Sequence, residues 1–72
     1  MSEEIVAEFV HSQGVARVVI VRRGDGRFTY RTQQRDGLGW GPQTIDAGVY
    51  DSPLTAETEA RQRVDWMKAR FH

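Results

Sequence analysis

The chain predicts an α+β domain. The expected architecture is an antiparallel meander of three or four strands, at about 4–10, 15–23, 27–35 and 43–50, with one C-terminal helix at about 53–71 packed on one face. Three observations predict it. Residues 27–35 alternate apolar and polar side chains with a period of two, the spacing of a half-buried strand. Glycine-bearing turn signals separate the β-branched runs. After Ser52-Pro53 the apolar period changes from two to the 3.6 of a helix.

Each element has its own warrant. Residues 4–10 are ambiguous, because Ile5, Val6, Phe9 and Val10 also suit one face of a short helix; their β-branched and aromatic content favours a strand. Ser12-Gln13-Gly14 signals a turn. On that turn Glu8 is expected opposite Arg17 as a cross-strand ion pair. Residues 15–23 carry five β-branched side chains and read as a central strand. Gly24-Asp25-Gly26 is the strongest hairpin signal, because it supplies the positive φ that tight hairpins need. A three-residue loop with Gly26 left-handed would set Val21 opposite Thr29 and Ile20 beside Tyr30; a two-residue loop would reverse the faces. Asp36 to Pro42 reads as a glycine-rich loop. Residues 43–50 read as a strand with Ile45, Ala47 and Val49 on one face.

Ser52 with Pro53 reads as an N-cap followed by proline at the first helical position, with Thr55 as the rival cap. Ala56, Ala60, Val64, Met67 and Phe71 then form one apolar stripe. Glu57 and Glu59 lie near the helix start, and Arg63, Lys68 and Arg70 toward its end, as the macrodipole prefers.

Composition bounds the function. Seventy-two residues make one domain, 1–72, whose core is thin. Ten basic residues balance ten acidic ones, and the absence of cysteine removes thiol chemistry and disulfides. His11 and His72 share no element, and the serines sit at termini or turns. No catalytic, cofactor-binding or metal-ligating set emerges, and a non-enzyme is expected. The start Met1-Ser2-Glu3-Glu4 is acidic, and the longest apolar run is Val18 to Val21, far below the roughly 20 residues of a membrane span. A cytoplasmic protein without membrane contact is expected.

The zero net charge hides an uneven layout. Residues 14–44 hold six arginines against two aspartates, whereas the first thirteen residues hold three glutamates and no basic residue. The strand alternation puts Arg27, Thr29, Arg31, Gln33 and Arg35 on one face, and the three-residue loop adds Arg17, Val19, Val21 and Arg23. Such a face is a solvated surface, a protein interface, or a nucleic-acid surface whose arginines meet phosphates. Trp40 reads as a plug at one end of the sheet–helix core or as an exposed stacking residue. Trp66 lies about 120° from the apolar stripe at roughly 100° per residue. It is either held flat by Arg70 or an interface anchor.

The strand Gly26-Arg27-Phe28-Thr29-Tyr30-Arg31, the Gly-rich turn, and Tyr50-Asp51-Ser52 leading into the helix around Ala56 and Ala60 resemble the arm-type DNA-binding domains of tyrosine integrases. YegP-like domains share much of the same pattern. The integrase resemblance implies an open sheet entering the major groove, with Arg27, Thr29, Arg31 and Gln33 as contacts. The expected function is a small protein-binding or self-associating module; the alternative is a DNA-binding domain using the arginine face. The candidate binding residues are Arg17, Arg23, Arg27, Thr29, Arg31, Gln33, Arg35 and Trp66.

Overall fold

The Gly24-Asp25-Gly26 loop sets the frame of the sheet. In the computed structural model, which describes residues 2–68, Gly26 adopts φ 84°. Its N–H donates to Arg23 O at 3.0 Å, and Arg23 N–H donates to Arg27 O at 2.7 Å. Left-handed backbone of this kind favours glycine. The loop is therefore the three-residue form, and Ile20 stands opposite Tyr30 and Val21 opposite Thr29.

The strands are β1 (Glu4–Val10), β2 (Ala16–Arg22), β3 (Phe28–Asp36) and β4 (Gly39–Trp40), antiparallel in that spatial order. Residues 4–10 are thus a strand, but an irregular one. Ile5 pairs with Val21 and Ala7 with Ile20, so Val6 is an extra residue that shifts the alternation.

One face of the sheet carries Val18, Ile20 and Tyr30 and meets Ala56, Ala60 and Met67 in the core. The helix α1 (Pro53–Arg63) begins as its sequence predicts. Ser52 Oγ accepts the Thr55 N–H at 3.1 Å, and Pro53 occupies the first turn. Ser52, not Thr55, is the N-cap. Ala56 and Ala60 are fully buried, and their small side chains let the helix backbone approach the sheet.

Three expectations are corrected. First, the helix does not run unbroken from 53 to 71. Val64 has φ −90° and ψ 115°, which is extended, and a short helix α2 (Asp65–Lys68) follows. Phe71, Arg70 and His72 and the side chain of Lys68 lie outside the described residues. Second, residues 43–50 are not a strand; the fourth strand is the two-residue β4. The segment beyond β4 does follow β3, with N–H donors at Gly41, Thr44, Ala47 and Tyr50 reaching the carbonyls of Gln34, Thr32, Tyr30 and Phe28. It advances three residues for each two of β3. A regular ladder advances equally on both strands, so only the Phe28–Tyr50 bridge survives near its end. Ile45 is consequently 88% exposed rather than part of a buried face. Third, Glu8 faces Val19, and Val10 faces Arg17. The Glu8–Arg17 ion pair forms on the diagonal, at 2.7 Å.

Candidate interaction site

The face of the sheet turned away from α1 brings together Arg17, Arg23, Arg27, Thr29, Arg31, Gln33 and Arg35, with Val19 and Val21 between them. It is not the open face expected. Val19 and Thr29 are 0% exposed and Val21 2%. Acidic residues distant in sequence pair with the arginines of this face. Arg31 Nε donates to Asp46 Oδ1 at 2.7 Å. Its two terminal nitrogens grip Glu3 Oε1 at 2.9 Å and Oε2 at 2.8 Å, a bidentate fork. Gln43 Oε1 accepts a further bond at 2.8 Å. These bonds hold the Glu3 carboxyl below its ordinary range and the Arg31 guanidinium above its own.

Arg17 is committed as well. Its Nε donates to Gln33 Oε1 at 2.7 Å and its Nη1 to Glu8 Oε2 at 2.7 Å, and Gln33 Nε2 donates to Gly41 O at 2.7 Å. Trp40 does not plug the sheet–helix core. It lies on the arginine face, with Arg17 at 4.8 Å and Arg35 at 4.4 Å from its ring centre. Arg35 Nε also donates to Gly14 O at 3.1 Å. Arg23 approaches Asp25 and Asp46 at 3.4 Å each. Arg27 is exposed, and its backbone N–H bonds Asp25 Oδ1 at 3.0 Å. Arg17, Arg23 and Arg31 are thus neutralised in place, while Arg35 is held by Trp40 and Gly14 O.

No family model, curated protein or solved structure matches the chain.

Trp66 does not join that face. The break at Val64 changes its phase, and it turns back against the core cluster instead of standing about 120° away. Its indole meets the His11 ring edge-on, with centroids 5.3 Å apart at 69°. Phe9, Val10, His11, Arg61, Trp66 and Met67 line a cleft of about 330 Å³ there. The Arg61 guanidinium sits 5.1 Å over the Phe9 ring. His11 Nδ1 accepts the Gln13 N–H at 3.1 Å, so the proton of the neutral ring sits on Nε2. Sequence reasoning missed His11 and Arg61, which are fifty residues apart and meet only through the fold. The one available signal was Trp66.

The cleft lies at the C-terminal end of β1, and among the described residues β1 pairs with β2 alone, which leaves it an edge of the sheet. Ile5, Val6 and Val10 are 45%, 42% and 47% exposed along it. The opposite edge is covered by residues 41–50 through the four N–H donors described above. A second cavity, of about 250 Å³, is lined by Ser2, Arg22, Arg23, Gly24 and Gly26, where Glu4 pairs with Arg22 and Asp25 with Arg23. Among the described residues no three His, Asp or Glu side chains converge as metal ligands, and no helix is long and apolar enough to cross a membrane.

Proposed function

We propose that the protein is a non-catalytic interaction module that receives an extended protein strand along β1, a second copy of itself included. One observation carries this reading: among the described residues β1 is a seven-residue strand with one edge unpaired and three apolar side chains exposed beside it. Unpaired strand edges recruit further strands through main-chain hydrogen bonds, with alternate side chains supplying specificity. Natural edges are guarded by lysine, proline, charge or a bulge. β1 has neither lysine nor proline, and its two glutamates are paired with Arg22 and Arg17; its one guard is the bulge at Val6, which leaves residues 7–10 regular.

The DNA-binding reading, the one the integrase resemblance implies, ranks second. To meet phosphate, Arg31 would have to leave Glu3 and Asp46, and Arg17 would have to leave Glu8. Thr29 would have to emerge from full burial to touch a base.

Light scattering at rising concentration, beside amide NMR, tests the proposal. Association should shift the β1 amides, and Val10→Lys should weaken it, because a charge then sits on the pairing edge. A wild-type chain that stays monomeric, and whose β1 amides respond to no added extended peptide, overturns the reading.

A further inference from the structure

We infer that the cleft at the end of β1 takes a bulky apolar side chain of the incoming strand together with a neighbouring carboxylate, so that the partner is an acidic–apolar extended peptide. This rests on the β1-edge reading and adds to it the chemistry of the occupant.

Position comes first. Phe9 and Val10 belong both to β1 and to the cleft wall, so the cleft continues the edge. A strand laid along β1 arrives at the cleft with its backbone already fixed. Size comes second. At about 330 Å³ the cleft is at the small end of the range of roughly 300–1,000 Å³ for ligand sites. It has room for one bulky side chain and a polar neighbour. Phe9, Trp66 and Met67 supply an apolar and aromatic lining, and such anchors dominate interfaces.

Charge decides the rest. Among the described residues no acidic side chain lines the cleft; the ionisable lining groups are Arg61 and His11. Glu57 stands one helical turn from Arg61 and takes both Nε and Nη2 on its single Oε2, at 2.9 Å each. The other terminal nitrogen of Arg61 makes neither bond. An exposed pair of this spacing contributes little, so it yields readily to a second carboxylate. His11 offers Nε2–H as a further donor, because Nδ1 already accepts from Gln13. Two donors beside an aromatic wall match an apolar side chain with Asp or Glu two positions away, on the same face of the strand.

The test is amide and indole NMR of the full chain with three capped hexapeptides: Thr-Asp-Val-Phe-Thr-Val, whose Asp and Phe share one face of the strand, the same with Asn for Asp, and the same with Ala for Phe. The first should shift the β1 amides, the His11 ring and the Trp66 indole N–H together. Replacing Asp by Asn, or Arg61 by Gln in the protein, should each weaken binding about tenfold, the loss of one hydrogen bond to a charged group. Arg61→Gln is an exposed change and leaves the core intact. Equal binding of all three peptides, with shifts on β1 alone, overturns the inference and keeps the edge reading. Undiminished binding to Arg61→Gln overturns the carboxylate assignment. No shift from any peptide overturns the inference too, and the concentration series then decides the edge reading by itself.

Discussion

Arg31 shows how a single residue changes meaning between sequence and structure. Period-two alternation places it on the arginine face, and there it is. Its acidic partners, Glu3 and Asp46, lie 28 and 15 residues away, and no local pattern announces them. What was legible is which side chains share a face; what was not is who neutralises them. The pH dependence follows from the sign of the shift. The folded Glu3 carboxyl titrates below its unfolded value, so its contribution is present above the usual glutamate range, about 4.3, and is lost as pH falls through the depressed folded value. Glu3→Gln should therefore flatten the loss of urea resistance on acidification; an unchanged acid profile would show that the fork contributes nothing. Thr29 gives a second expectation. It is fully buried, and its hydroxyl reaches only Tyr30 O, at a long 3.4 Å. Thr29→Val keeps the shape and removes a poorly used polar group. Its unfolding free energy should be unchanged or raised by up to about 1 kcal/mol. A loss larger than that would mean the hydroxyl bond is better than its length suggests.

At the scale of elements, legibility followed regularity. β2, β3 and the start of α1 keep their periods and were readable to within a residue or two. β1 was ambiguous for a physical reason: the extra residue Val6 breaks the alternation, so Ile5, Val6, Phe9 and Val10 look like a helical face. Residues 43–50 misled in the opposite way. They alternate like a strand, yet they pair three residues against two. The helix misled at Val64, where nothing in the side chain type marks an end and the backbone turns extended. The apolar stripe survives the break as far as Met67, which α2 returns to the core, 4% exposed. Met67→Ala should cost on the order of 2–4 kcal/mol by transfer and cavity terms, measured by urea denaturation. A cost below about 0.5 kcal/mol would mean that α2 is not fastened to the core.

At the scale of the whole molecule, the balance of charge is realised locally. Glu4 and Glu8 pair with strand arginines, and Glu57 and Glu59 pair with Arg61 and Arg63 on the helix. A molecule neutralised in this way has little field to steer a polyanion. Its association with a mixed-sequence DNA duplex should be too weak to follow near 0.15 M salt, where the Debye length is about 8 Å. Tight binding with a steep salt slope would show that the arginine face opens, and would restore the nucleic-acid reading.

The three-for-two seam of residues 41–50 along β3 has a consequence for assembly. It occupies carbonyls that would otherwise template another strand, and it leaves the molecule with one adhesive margin instead of two. A building block with two such margins polymerises; a block with one has a valence of one. On the proposed pairing, each encounter through β1 would end the series, whether the partner is a twin or a stranger. A protein this small would then carry an exposed apolar strand at high concentration and halt at pairs, without growing the cross-β filaments that the same strand would seed in a sheet bare on both sides.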